Sequence, residues 1–281
     1  MDELVPRLDI PVSMLASDCI TGNILRLYSN FPCKIKSGIF ALCTHGTIRV
    51  TINLSEYTIR PDDLITLLPD SFIQIHEMSD DIQLSFIGFS SGIVNESDYF
   101  KMSMHTFPLI FDHPVLPLSP ETASFLSGSI SLWTSAGNLT ELVSDEQISK
   151  NVMKVFLRTS IILYQSDKQE EHTSFSKNYR MSRDFVQLVM QHYLTERRVS
   201  FYAGKMGISV ENLCRITKAQ MKKTPLDVIS SFLIMDAKTQ LKSTKHSVKE
   251  IAFFLGFPNL TSFCKFFRKY VNMSPQEYRN S

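Results

Sequence analysis

Two segments of the chain carry cationic side chains at matching positions. Arg215 and Lys218 lie in the first segment, and Lys265 and Arg268 lie fifty residues further along at the same offsets. Guanidinium and ammonium groups donate several hydrogen bonds and carry positive charge, which suits the O6 and N7 acceptors of guanine. In isolation such residues would be ordinary solvated helix positions. The role of these four residues therefore depends on the elements that position them.

The two segments are copies of one unit. Residues 200–225 read SFYAGKMGISVENLCRITKAQMKKTP, and residues 250–275 read EIAFFLGFPNLTSFCKFFRKYVNMSP. With one extra residue at Pro258, the following residues align as pairs: Ala203 with Ala252, Gly207 with Gly256, Ser209 with Asn259, and Cys214 with Cys264. Two copies indicate a duplication and not a solenoid.

Each copy has the pattern of a helix-turn-helix, over about residues 199–222 and 248–271. The glycine lies where the first helix ends and a left-handed residue is needed, and Ser209 or Asn259 can cap the second helix. Leu213 and Ile216, or Phe263, Phe266 and Phe267, are predicted to face inward. Such a second helix enters the DNA major groove. Ten residues are predicted to turn toward base edges: Val210, Glu211, Cys214, Arg215, Lys218, Leu260, Thr261, Cys264, Lys265 and Arg268.

The remainder of the chain predicts an α+β protein of two domains. Residues 36–92 contain short apolar runs between turn signals, and the alternation of Ile48, Val50 and Ile52 with polar residues is typical of a half-buried strand. We expect strands to about residue 115 and helices over about 120–165, which complete a first domain of residues 1–165. The polar residues 166–178 are predicted to be a linker. Residues 179–281 are predicted to be all helical.

Charge divides the chain in the same way. Residues 1–165 contain 10 Lys and Arg against 18 Asp and Glu, whereas residues 166–281 contain 19 against 10. A basic segment joined to an acidic one favours a polyanionic partner for the basic segment. The five cysteines form no CxxC pair, and neither a signal peptide nor an apolar run long enough to cross a membrane is recognised. These features predict a cytoplasmic, nucleoid-associated protein.

Residues 179–281 resemble the DNA-binding domain of AraC/XylS-type transcription regulators. The motif IAFFLGFPNLTSFCKFFRK, followed by SPQEYR, carries the resemblance, and VSFYAGKM at residues 199–206 resembles the Bacteroidetes variant. The resemblance implies that the ten outward residues face bases. The residues assigned to phosphate are Ser209, Lys222, Lys223, Asn259, Lys269 and Arg279. Thr217 stands where the family usually has a large apolar residue, and Asn272 stands where glycine is common.

The acidic segment resembles the cupin-like β-barrel that often precedes this domain. Residues 57–70, YTIRPDDLITLLPD, look like its central hairpin. His45 stands alone and His76 has no partner histidine two residues away, so the H-x-H pair of metal-binding cupins is missing. We therefore expect no metal, no cofactor and no catalytic residues, and the effector-binding residues are unknown.

The expected function is sequence-specific transcription regulation, with double-stranded DNA as the partner of two recognition helices. A small-molecule effector, a homodimer formed through residues 121–165, and RNA polymerase in the case of an activator are the further expected partners. Two alternatives remain at this point. One is a cupin-type metalloenzyme fused to a basic helical domain, and the other is a co-regulator whose basic domain binds a protein.

Overall fold

The computed structural model describes residues 7–26, 29, 31–96, 110, 113–137, 139, 144–170 and 177–281. By their contacts these residues form two compact units, residues 7–170 and residues 177–281. Each unit has a core of its own, and the two-domain α+β class expected from the sequence is confirmed.

Ten strands are found among the described residues of the N-terminal unit. In chain order they are β1 (Arg7–Leu8), β2 (Met14–Thr21), β3 (Cys33–Ile35), β4 (Gly38–His45), β5 (Ile48–Ile52), β6 (Ser55–Ile59), β7 (Asp63–Leu67), β8 (Phe72–Met78), β9 (Gln83–Phe89) and β10 (Val115–Pro117). They form a first sheet of order β1-β3-β8-β5-β6 and a second sheet of order β10-β7-β4-β9-β2. All neighbours are antiparallel except β1 and β3.

The second sheet is the middle layer of three. Its strands alternate between two faces, so Ala41 joins a core shared with the first sheet while Phe40 joins a core on the opposite face. Two helices, α3 (Pro120–Ala136) and α4 (Glu146–Glu170), cover that opposite face. The rings of Phe40 and Phe156 lie 5.9 Å apart there. A strand buried on both faces has no polar side, which explains why β7 is an unbroken buried run.

Two further short helices are found among the described residues of this unit, α1 (Gly22–Leu25) and α2 (Ser91–Glu96). The predicted alternation at Ile48, Val50 and Ile52 is confirmed, because these three side chains are buried between half-buried neighbours. The two helices expected after residue 120 are also present.

The predicted cupin-like barrel is not confirmed. Among the described strands no ladder joins one sheet to the other, so the sheets do not close into a barrel. The hairpin predicted at residues 57–70 is wrong, because β6 and β7 belong to different sheets. Asp62 has a left-handed φ of 71°, and the Asp63 carboxylate accepts from the Arg60 backbone N–H at 2.7 Å. This turn carries the chain from one sheet to the other.

The boundary between the units also differs from the linker predicted at residues 166–178. Helix α4 continues to Glu170, and the next helix, α5 (Lys177–His192), already includes the last two linker residues. Residues 171–176 lie outside the described part of the chain.

The C-terminal unit is helical, as expected. After α5 come α6 (Val199–Lys205), α7 (Val210–Met221), α8 (Pro225–Ser243), α9 (Val248–Phe254), α10 (Leu260–Val271) and α11 (Pro275–Asn280). Helix α8 is central, because 12 of its 19 residues are buried. A helix buried on nearly all sides must pack against both repeated units, and its residues Ala237 and Leu241 belong to the core of the second one.

Across the described residues, no helix combines the length and the apolar character needed to cross a bilayer.

Candidate nucleic-acid interface

The two helix-turn-helix units repeat one arrangement, a first helix of 7 residues and a second helix of 12. Helices α7 and α10 each have 12 residues and begin fifty positions apart. Both are followed by a capping box, in which Thr224 pairs with Asp227 and Ser274 pairs with Glu277. The duplication read from the sequence is therefore a duplication of structure. The first helices differ at their start, because Ser247 and Glu250 form a capping box before α9, whereas Arg198 forms no side-chain cap bond before α6.

The turn glycines adopt the predicted left-handed conformation. The φ angles are +65° at Gly207 and +75° at Gly256. The N–H of Ile208 donates to the Ala203 carbonyl at 3.0 Å, and the N–H of Phe257 donates to the Ala252 carbonyl at 2.9 Å. Because these bonds satisfy carbonyls at the end of each first helix, they fix where the second helix begins.

The predicted caps are also present. The Ser209 hydroxyl accepts from the Asn212 N–H at 3.2 Å, and the Asn259 side-chain oxygen accepts from the Ser262 N–H at 2.8 Å. Each cap accepts from one backbone N–H of the first turn. The other N–H groups of that turn lie at the end of the helix that would approach DNA. The contacts of Ser209 and Asn259 with phosphate stay predictions.

The inward faces of the two recognition helices differ in size. Phe263 and Phe267 are fully buried in the second unit, and Phe266 is half-buried against them. In the first unit Leu213 and Ile216 are buried, together with the short polar side chain of Thr217. The Thr217 hydroxyl donates to the Cys214 carbonyl at 3.3 Å. The departure noted at this position is therefore accommodated by a hydrogen bond within the helix.

All ten residues predicted to face bases lie on the outer sides of α7 and α10, and none of them is buried. Their spacing places them on one stripe of each helix, which gives the two stripes a common geometry. The Arg215 guanidinium also donates from Nη2 to the side-chain oxygen of Asn212 at 2.9 Å. The equivalent of Asn212 in the second unit is Ser262, so only the first unit holds its cation in this way.

The outward stripes of α7 and α10 contain an acidic side chain and thiols as well as cations. The Glu211 carboxylate accepts hydrogen bonds from its own backbone N–H and from Ser209, and both lower its pKa. Glu211 therefore remains an acceptor, for which the amino groups of cytosine and adenine are the matching donors. Burial raises the pKa of the Cys264 thiol. A protonated thiol is a poor nucleophile, so Cys264 is better suited to van der Waals contact than to redox chemistry.

The basic residues assigned to phosphate have different environments. Lys222 ends α7 with a left-handed φ of 57°, and Asn272 ends α10 in the same way with a φ of 61°. Asparagine tolerates this conformation, so it can replace the expected glycine.

The Arg279 side chain is half-buried, and its Nε donates to the Leu241 carbonyl at 3.0 Å. Arg279 therefore has a structural contact besides its predicted role.

Sequence reasoning missed a set of buried polar contacts behind the recognition helices. The Tyr193 hydroxyl donates to Asp236 at 2.6 Å, and Gln240 donates to the same carboxylate at 3.0 Å. This network joins the end of α5 to α8. Arg197 donates from Nη2 to the Leu255 carbonyl, which joins the loop after α5 to the second helix-turn-helix. Polar residues inside an apolar helix pattern, such as Asp236, were the only signal available.

The N-terminal unit contains His45 and His76, the two histidines weighed as metal ligands. Within the described residues no group of three His, Cys, Asp or Glu side chains is placed to hold a metal ion. His45 and His76 are both exposed, and the His76 ring forms a hydrogen bond of 2.7 Å with the Thr51 hydroxyl.

Comparisons with known proteins agree with the geometry of the C-terminal unit. Residues 202–281 match a protein-family profile described as "Helix-turn-helix domain". The xylose operon regulatory protein of Haemophilus influenzae is 32% identical over 113 residues, which cover 38% of this chain and 29% of that protein. An uncharacterized HTH-type transcriptional regulator of Escherichia coli, YdiP, is 21% identical over 244 residues, or 83% of this chain and 75% of that protein.

Among solved structures, ToxT from Vibrio cholerae bound to (E)-4-(8-methylnaphthalen-1-yl)but-3-enoic acid aligns with 90% of this chain and 92% of its own length. The identity is 16% and the TM-score is 0.47. The Bacteroidetes subtype stays a prediction. The profile match and the duplicated units lead to one conclusion: residues 202–281 form a helix-turn-helix domain.

Proposed function

We propose that this protein is a sequence-specific DNA-binding transcription regulator of the AraC type. The observation that carries the proposal is the repetition of the unit, with cations on the outer face of α7 and α10 at equivalent positions. A single amphipathic helix with exposed Arg and Lys would not by itself indicate DNA recognition. Two capped helices that present matched stripes are suited to read two successive major grooves, about 34–36 Å apart along the duplex.

Affinity and specificity are assigned to different residues. The basic balance of residues 166–281 would attract the duplex, with Lys222, Lys223 and Lys269 as the first candidates for phosphate contact. The ten outward residues would select the sequence through base edges. Arg215 is the strongest candidate for guanine, because Asn212 already limits the positions of its guanidinium.

The N-terminal unit is proposed to receive the regulatory signal. It has a separate core and an excess of acidic residues, which make it unsuited to the duplex itself. A small-molecule effector is the signal we propose, and RNA polymerase is the further partner if the regulator is an activator. The site of action would be the cytoplasm, where the nucleoid lies.

We also propose that the protein acts as a homodimer through α3 and α4. Three large apolar side chains on these helices are mostly exposed: Phe125 at 66%, Leu132 at 67% and Val155 at 63%. They border an apolar groove of about 280 Å³, whose floor includes Leu126 and Phe156. An exposed apolar groove formed by two helices is typical of a surface that another chain covers.

The test of DNA recognition is a selection from sheared genomic DNA of the source organism at moderate salt. Wild-type protein should enrich a few sites that contain two short elements about one helical turn apart. The variant Arg215→Ala/Lys265→Ala should lose this enrichment. The single variant Lys265→Ala should cost about 1–3 kcal/mol of binding free energy at the selected site.

A matched control is Arg26→Ala/Arg60→Ala, which removes two exposed cations from the N-terminal unit. It should enrich the same sites as wild type. Recovery of no DNA by wild type, at any salt concentration, would favour the co-regulator alternative. Stoichiometric iron, manganese or nickel in the purified protein would favour the cupin-type metalloenzyme, which no observation on the described residues supports.

A further inference from the structure

The loop between α5 and α6 contacts the turn of the second helix-turn-helix. This loop lies just before the first helix-turn-helix, yet Arg197 donates from Nη2 to the carbonyl of Leu255, the residue that caps α9. The Arg197 guanidinium also lies over the ring of Phe257, at 3.9 Å from the ring centroid. Leu255 and Phe257 flank Gly256, so one side chain holds both sides of the second turn.

The surroundings of the two turn glycines show how close this contact is. A Cβ atom added to Gly256 would lie 2.8 Å from the Leu194 carbonyl oxygen and 3.4 Å from Arg197 Nη2. A Cβ atom added to Gly207 would meet nothing within 4 Å. The second turn is therefore packed against the α5–α6 loop, whereas the first turn is open.

Few other contacts of Arg197 explain its position. It is half-buried, and burial lowers its pKa, although a guanidinium remains charged at neutral pH. Among the ion pairs of the described residues, none includes Arg197, whereas its neighbour Arg198 pairs with Glu196 at 2.9 Å. Burial removes part of the hydration of this cation, and the Leu255 carbonyl and the Phe257 ring replace it without an ion-paired carboxylate among the described residues. The guanidinium is therefore held at one specific position.

The loop is itself fixed to the rest of the domain. The Tyr202 hydroxyl of α6 donates to the Glu196 carbonyl at 2.7 Å, and Tyr193 is bound to Asp236 of α8. Helix α8 ends at Ser243, and four non-helical residues separate it from α9. The second helix-turn-helix also packs on α8, through the core that includes Ala237 and Leu241 and through the Tyr270 hydroxyl, which bonds Ser230 at 3.0 Å. Arg197 adds a contact from a different element, the α5–α6 loop, and so limits how far the second unit can tilt on α8.

We propose that Arg197 is a positioning residue that fixes the separation of α7 and α10, so that the protein accepts one spacing between its two DNA elements. The inference rests on the proposed function, because spacing has meaning only if both helices read DNA. Insertion of one base pair moves one element by about 3.4 Å and turns it by about 35° around the axis. A rigid pair of helices cannot follow that change, whereas a pair held by the packing on α8 alone would tilt more easily to follow it.

The experiment measures binding as a function of spacer length. A duplex selected by wild-type protein from a randomised pool is resynthesised with the spacer between its two elements shortened by one base pair, or lengthened by one or two. Dissociation constants are measured by fluorescence anisotropy for wild type, Arg197→Met and Arg198→Met. Methionine keeps an unbranched apolar side chain over Phe257 but removes the charge and the donors. The adjacent Arg198→Met makes the same chemical change at an exposed position.

We expect wild type to lose about tenfold or more in affinity when one base pair is inserted, as for a mismatched site. Arg198→Met should behave as wild type does. Arg197→Met should bind the selected spacing about 2–10-fold more weakly, because the second unit must be ordered on binding. Its penalty for the inserted base pair should shrink to about threefold or less, since a mobile unit can follow the DNA. A loss of structure alone would lower affinity by one factor at every spacing.

Two results would overturn the inference. Wild type could bind all spacings equally well, or Arg197→Met could keep the wild-type penalty, as it would if its affinity fell by the same factor at every spacing. Circular dichroism at the assay temperature shows whether Arg197→Met is folded. If it is not, Arg197→Lys, which keeps the charge without the planar fork, is judged by the same criteria. Failure of wild type to select any sequence would instead overturn the proposed function.

Discussion

The two turn glycines provide a matched pair of positions at the scale of the residue. Gly207 and Gly256 have similar positive φ angles, but only Gly256 lies against backbone, the Leu194 carbonyl. Gly207→Ala should cost about 1–2 kcal/mol, the price of a Cβ atom in the left-handed region. Gly256→Ala should cost at least about 1 kcal/mol more, because the loop must also move. Urea unfolding of the two variants measures the difference.

A third glycine is the control for this comparison. Gly204 lies inside α6, has no positive φ, and a Cβ atom there would meet nothing within 4 Å. Gly204→Ala should stabilise the protein by about 0.5–1 kcal/mol, because alanine favours a helix. Equal destabilisation by Gly207→Ala and Gly256→Ala would contradict the close packing of the second turn against the loop.

Local signals predicted the conformation of single residues well, and distant contacts poorly. The left-handed glycines and the caps at Ser209 and Asn259 follow from residues within a few positions of each other. Arg197 and Leu255, however, are 58 residues apart, and Tyr193 and Asp236 are 43 apart. Nothing in the residue type of Arg197 distinguishes it from the exposed Arg198 beside it. Only the tertiary fold brings one of the two arginines to a carbonyl.

At the scale of the element, the outer surface of α3 and α4 is the surface whose role is most directly testable. Leu132→Glu and Val155→Glu place a carboxylate on exposed side chains of the proposed dimer face, so the monomer should fold normally. A charge enclosed in an apolar interface is costly, so each variant should weaken the dimer by at least about tenfold. Light scattering across a concentration series measures the monomer–dimer equilibrium.

Ile24→Glu is the control for these variants, because Ile24 is 48% exposed but lies on α1. It should leave the mass unchanged from wild type. A monomeric mass for wild type at micromolar concentration, with and without DNA, would count against the dimer. So would a Leu132→Glu variant with the same mass as wild type at every concentration.

Periodicity predicted the elements, but not how they pair. The helical pattern at Leu126 and Ile130 and the alternation around Val50 correspond to buried faces in the structure. The turn at residues 60–63 is equally visible in the sequence, yet it joins strands of different sheets instead of forming a hairpin. A turn signal fixes the local direction of the chain, whereas the choice of sheet depends on which buried face each strand completes.

At the scale of the whole molecule, the separation of charge coincides with the separation of structure. The excess of acidic residues belongs to the unit with two sheets, and the excess of basic residues belongs to the unit with two helix-turn-helix motifs. The sequence could predict this division because charge counts and the duplicated segment are independent of tertiary contacts. Together they assign the polyanion to one unit, and they leave the other unit free to take a different role.

The same division predicts how binding responds to salt. If the basic unit neutralises phosphates, the logarithm of the association constant should fall linearly with the logarithm of salt concentration. Lys222→Gln/Lys223→Gln should reduce the slope by about 2 and weaken binding at all sequences alike. Lys265→Gln should instead weaken the selected site more than a random duplex, since its role is base readout. Arg26→Ala/Arg60→Ala should leave the slope as in wild type. An unchanged slope for Lys222→Gln/Lys223→Gln would remove both lysines from the phosphate interface, and with them the assignment of phosphate contacts to the ends of the recognition helices.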